Sequence, residues 1–247
     1  MEPQMDPGTG RPRKSGTSPW VYIGCSCAGL VILGMAAFSA FTWFAYRKGK
    51  EIEETWSDPK AREEKSKEVV AYNQLPQGYY PLGAISIPFI MDMAMFGDNP
   101  PPAGATTGDH NEGIKERGFM YFKMRIGDEQ EMRDYMQGKV AQPSWIKGNA
   151  EVDTGEVIRR GEVDAAGQKV LYTASRGEVT ANEKRMDGIT TMIMIDCPED
   201  KRTRFGLWFG PDPAPADPVD KLNVAGTNAD PEEIRKFASH FRFCGAQ

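Results

Sequence analysis

Histidine is nearly absent from this chain, two residues in 247, and with it the side chain that most often serves as general base or metal ligand. The sequence has no G-x-S-x-G, H-E-x-x-H, phosphate-binding glycine-lysine loop or C-x-x-C. That removes the familiar signatures of an α/β-hydrolase, a zinc protease, a nucleotide-binding loop and a dithiol redox centre. Positive charge is not in excess either: the formal net charge is -5 and the sequence pI ≈ 5.3. No basic field is available to hold a phosphate backbone, so nucleic acid is not an expected partner. Cysteine is sparse. Beyond the apolar N-terminal region only Cys197 and Cys244 remain, an even pair that suits one disulfide in an oxidising compartment. Two unrelated buried thiols is the alternative reading.

What the chain does have is a charge-free stretch from Ser15 to Tyr46. As a helix, the roughly 27 residues from Trp20 to Tyr46 would rise about 40 Å, enough to cross a hydrocarbon core of about 30 Å. Trp20 and Tyr22 mark one boundary and Trp43 and Tyr46 the other, flanked by Arg13-Lys14 and Arg47-Lys48, as membrane interfaces favour. A single transmembrane span is therefore expected over residues 20–46. Cleavage as a signal peptide is the competing reading, at Ala37-Phe38-Ser39, but the apolar run continues past that point through Phe44. Within the span, Gly24-x-x-x-Ala28 and Cys25-x-x-x-Gly29 place small residues where two helices of a homodimer could approach closely.

Four zones follow from composition. Residues 1–19 are rich in Pro, Gly and Ser and read as a disordered tail. Residues 47–72 are dominated by interleaved charge and read as a polar juxtamembrane helix or stalk, with Ser57-Asp58-Pro59 as its cap. Residues 73–247 are long enough for one ordinary domain. Within it Ile85, Ile87, Phe89, Met91, Met93 and Met95 alternate, a period of two that aims one apolar face at a core. Residues 97–118 read as a long loop, and Met120, Phe122, Met124 and Ile126 share a face of the next strand. Asp128 and Glu131 form a capping box for a short helix carrying Met132, Tyr135 and Met136. Asp164-Ala-Ala-Gly167 reads as a hairpin turn between strands at 157–163 and 169–179. A strand at 189–197 and another carrying Phe205, Leu207 and Phe209 follow. Asp230-Pro-Glu-Glu233 then caps a closing helix with Ile234, Phe237, Ala238 and Phe241 on one side. The expected class is α+β: an N-terminal transmembrane helix, then a single antiparallel-sheet domain with helices packed on the sheet.

That order of elements, with Ile-Arg-Lys-Phe-Ala-Ser-His-Phe-Arg-Phe at residues 234–243 closing the chain, resembles the α+β domains of the PsbP and Mog1-like group. The opening Gly24-Cys25-Ser26-Cys27 of the span is similar to those of uncharacterised bacterial single-pass envelope proteins. The resemblance implies a binding or assembly module rather than an enzyme, anchored in the bacterial inner membrane with its domain exposed outside the cytoplasm. The basic residues after the span, Arg47, Lys48 and Lys50, argue for the opposite orientation, a cytoplasm-facing regulator. Neither a catalytic set nor a cofactor is expected. Two weaker constellations stand beside this reading. Met91, Met93 and Met95, with His110 in the long loop, offer soft ligands suited to Cu(I). Asp92, Asp109, His110 and Glu112 would be the raw material of an unfamiliar hydrolytic site. His240, at the end of the closing helix, suits the helix dipole.

Overall fold

In the computed structural model the described residues are 49, 55–102, 104, 113–125, 129–141, 155–181, 184–198 and 200–244, with backbone alone for 178–181 and 184–187. The chain from Ile52 to Gln247 forms one compact unit. Its elements are α1 (Pro59–Val69), β1 (Ala71–Tyr72), β2 (Tyr80–Ile87), β3 (Met91–Gly97), β4 (Gly118–Met124), α2 (Glu129–Met136), β5 (Glu156–Ala165), β6 (Gln168–Ala181), β7 (Lys184–Ile195), β8 (Thr203–Pro211), a 3-10 turn (Val219–Lys221), α3 (Pro231–Ser239) and β9 (Phe241–Arg242). A seven-stranded sheet has the order β2-β3-β4-β8-β7-β6-β5, antiparallel throughout. A separate two-stranded ribbon pairs β1 with β9.

The expected α+β class is corrected by this arrangement. The described residues form mostly antiparallel sheet, a seven-stranded and a two-stranded one, and their α-helices run only 11, 8 and 9 residues. Strands β6 and β7 run 14 and 12 residues, so burial comes chiefly from the two faces of the sheet, each helix adding one short side. Among the described residues no helix is long and apolar enough to cross a membrane. The expected span at 20–46 and the tail at 1–19 lie outside the described residues, as do the interfacial Trp20, Tyr22, Trp43 and Tyr46 and the small residues Gly24, Cys25, Ala28 and Gly29.

One face of the sheet meets α3 and the C-terminal strand. Phe237 stacks on Trp208 at 4.1 Å between ring centroids and meets Phe119 edge-on at 5.0 Å. Phe241 lies 5.2 Å from Phe119 and 5.6 Å from Phe96. Aromatic rings bury the most area per side chain, and offset or edge contacts suit their quadrupoles. Helix α3 starts where its sequence says it should. Asp230 Oδ1 accepts from the Glu232 N–H at 3.0 Å, Oδ2 accepts from the Gly226 N–H at 2.9 Å, and Pro231 takes the first helical position. The Asp230 N–H goes to the Thr227 carbonyl and not to Glu233, which pairs with Lys236; the reciprocal half of the expected capping box is absent.

The alternation on β3 is real, but its expected direction is reversed. Ala94 and Phe96 are fully buried against the aromatic core, while Met91, Met93 and Met95 lie half-buried on the other face. Register explains the choice. Phe96 stands opposite Phe119 and Ala94 opposite Tyr121, so the aromatic side of β4 carries the even residues of β3 inward. The opposite face is apolar too: Ile85, Met93, Phe122, Phe205, Met194 and Leu171 form one row across six strands. Helix α2 covers part of it through Met132, Tyr135 and Met136 against Met194, Met192 and Leu171.

Helix α1, expected as a solvated stalk, is packed. Asp58 caps it, accepting from the Lys60 N–H at 3.0 Å, and it buries Arg62, Ser66 and Val69 beside edge strand β2. Trp56 just before it lies so close to β2 that a Cβ on Gly83 would stand 2.7 Å from the indole; only glycine admits that approach. Two hairpin turns differ in chemistry. Between β5 and β6, Ala166 and Gly167 both have positive φ, 53° and 78°, the primed turn that follows strand twist. Between β2 and β3, Pro88 and Phe89 are the central residues of a turn closed by the Ile90 N–H to the Ile87 carbonyl at 3.1 Å. Phe89 has φ 65°, where a type II turn ordinarily takes glycine.

Candidate functional site

Where the aromatic core ends, the same face of the sheet turns polar. Ser86, Asp92, Lys123 and Arg204 stand opposite one another on β2, β3, β4 and β8, a row of adjacent cross-strand neighbours. Asp92, Lys123 and Arg204 are all buried. Charged side chains at that depth require partners, and the β7–β8 loop supplies them. Asp200 Oδ2 lies 2.8 Å from Arg204 Nη2, 3.3 Å from Arg202 Nη2 and 3.6 Å from Lys123 Nζ. Arg202 Nη1 returns to Asp92 Oδ2 at 3.0 Å, and the Ser86 hydroxyl donates to Asp92 Oδ1. The row opens on a cavity of ≈ 430 Å³ whose other walls are Lys67, Glu68, Val69, Ala71, Tyr121, Arg242 and Phe243.

Electrostatics in the cavity favour an incoming negative group. Lys67, Lys123, Arg204 and Arg242 face Glu68 and Asp92 in its lining. Burial, and then the neighbouring Arg202 and Arg204, push the Lys123 ammonium below its ordinary value, despite the pull of Asp200 and Asp92. Burial raises the Tyr121 phenol, which therefore stays protonated, with Arg204 acting against the shift. For Asp200, burial acts to raise the pKa, yet hydrogen bonds from Arg202 and the charges of Arg204 and Arg202 outweigh it and hold the carboxyl at about 2. Arg204 spends one nitrogen on Asp200, while Nε and Nη1 have no hydrogen-bond partner. The site is a cationic surface held in place by the carboxylates of Asp200 and Asp92, suited to a carboxylate or phosphate.

A search among known families finds no matching model, and a search of curated proteins finds no match. The chemistry therefore rests on the residues themselves.

The residues singled out from sequence are distributed as follows. Cys197, after β7, and Cys244, after β9, form a disulfide with Cα atoms 5.4 Å apart, within the usual bridging range. Met91, Met93 and Met95 share the outer face of β3, with Met124, Phe122 and Met120 opposite them on β4. His110, Asp109 and Glu112 lie outside the described residues, so of the Cu(I) candidates the structure describes Met91, Met93 and Met95, and of the hydrolytic set Asp92. Asp92 is instead part of the charged row. No group of three His, Cys, Asp or Glu suited to a metal occurs among the described residues. His240 sits at the C-terminal end of α3 with Nδ1 3.0 Å from the Gln74 carbonyl, a structural position. Lys123 and Arg204 are not among the residues the motifs mark; the sequence signal for them is a lone cation inside an otherwise apolar strand, in β4 and again in β8.

Proposed function

We propose that this chain is a membrane-tethered, non-catalytic envelope module that engages its partner through an anionic group, a carboxylate or phosphate, held in the charged pocket. The observation that carries this reading is the buried pair Lys123 and Arg204, side by side on β4 and β8 beneath an open cavity. Two adjacent buried cations destabilise a fold unless negative charge compensates them, and among the described residues only Asp200 pairs with both. The apolar stretch from Trp20 to Tyr46 supports the tether, and the Cys197–Cys244 bond supports an oxidising compartment for the domain.

Calorimetric titration of the full chain in detergent with inorganic phosphate, and separately with a peptide ending in a free carboxylate, tests the pocket. Saturable binding of either probe, lost in Lys123→Met and in Arg204→Met, is expected; the two arms separate a phosphate ligand from a carboxylate one. Absence of binding to both would sink the reading. Resistance of the chain to alkaline extraction from membranes tests the tether separately.

A further inference from the structure

At the end of the sheet nearest the charged row, the β2–β3 hairpin presents Ile87, Pro88, Phe89 and Ile90, all exposed, with Phe89 at 99%. No charged residue interrupts the four. A large apolar side chain in full solvent is common singly, but here three adjoin on a rigid turn. Phe89 is also held at φ 65°, in the position where glycine would be easier. Strained residues persist where the surrounding structure over-determines them, and they cluster where something is to be engaged. Pro88 stiffens the preceding position, so the turn holds the Phe89 ring out as a fixed wedge.

We propose that this hairpin tip inserts into the interfacial layer of the bilayer that anchors the chain. The inference rests on the membrane tether of the preceding section and adds a second point of contact. Chain connectivity selects lipid over other occupants. Trp56 donates its indole N–H to the Ala84 carbonyl on β2 at 3.4 Å, only three residues before Ile87 on the same strand, about 10 Å at strand rise. Trp56 follows Tyr46 by only ten positions. At no more than about 3.5 Å per residue that link spans at most roughly 35 Å. The tether thus limits how far edge strand β2 can stand from the membrane surface. A wedge of Phe and Ile needs to bury only about 5 to 10 Å into the headgroup and acyl boundary. Arg125, after β4, and Lys201, before β8, are exposed at the same end of the sheet, placed to meet lipid phosphates.

A photoreactive benzoylphenylalanine at position 89 of the full chain, reconstituted in vesicles of phosphatidylcholine and phosphatidylglycerol, tests this. The control carries the same group at Asp220, exposed at the opposite end of the sheet beside the start of β5. Irradiation of vesicles washed at alkaline pH should give lipid adducts at 89 several-fold above those at 220, as read by mass spectrometry. A second copy of the chain or any other protein as the main adduct at 89, equal lipid labelling at both positions, or no adduct at 89 would each overturn the proposal. Loss of the chain in the wash would instead overturn the tether, and with it the reach on which the insertion depends; that failure is visible before irradiation.

Discussion

Replacing Asp200 by Asn removes the carboxylate that pairs with Lys123, Arg202 and Arg204 together while leaving its shape in place. The native carboxyl is held at about 2 against an ordinary 3.8. At roughly 1.4 kcal/mol per pKa unit the difference corresponds to about 2.5 kcal/mol of folding stability at neutral pH. Asp200 is 26% exposed, and solvent screening lowers that to about 1 to 2 kcal/mol. The variant also leaves two buried cations unpaired, which brings the expected loss to about 2 to 3 kcal/mol at pH 7. Because the folded-state pKa lies below the unfolded one, this contribution is complete above about pH 4 and disappears as the pH falls through about 2. Guanidinium unfolding of the full chain in neutral detergent, followed by tryptophan fluorescence at pH 7, 4 and 2.5, gives both quantities. The native chain should lose stability over that acid range and Asp200→Asn should lose distinctly less. Equal stability of the two at pH 7, or identical acid slopes, would refute the assignment of Asp200 as the anion that holds the row together.

Reducing the Cys197–Cys244 bond opens a loop that joins residues 47 apart; in the chain-entropy model this costs about 4 kcal/mol, and Cys197→Ser with Cys244→Ser should melt well below the oxidised chain in calorimetry. Phe237→Ala empties a site between Trp208, Phe119 and Tyr79 and should cost about 3 to 5 kcal/mol, whereas Asp230→Ala loses a cap and should cost about 1 kcal/mol; equal losses in denaturant titrations would contradict the packing of α3. Phe89→Gly relieves a left-handed backbone at a side chain that touches solvent, so stability should stay level or rise by up to about 1 kcal/mol. A loss beyond about 1 kcal/mol in the same titration would show that the ring is packed.

Local signals determined a good deal of this protein. The turn at Asp164–Gly167, the cap at Asp230 and the alternation on β3, β4 and β8 are each written in four to seven neighbouring residues, because glycine, proline and capping side chains act within one turn of the backbone. The apolar stretch at 20–46 and the scarcity of histidine are likewise properties of the sequence alone. The inward face of β3 was not. Both faces of the sheet are apolar, so alternation identifies a strand without orienting it; the pairing of Phe96 with Phe119 across β3 and β4 decided which residues went inward. The burial of α1 also depended on a distant partner, since its charged sequence places Arg62 and Ser66 inside only when β2 and Gly83 make room. The charged pocket is the clearest case. Ser86, Asp92, Lys123 and Arg204 span well over a hundred positions in the chain, and only the register of four strands sets them in one row. A burial cost that would have expelled each of them alone is tolerated because the sheet brings their opposite charges within a few ångströms of one another.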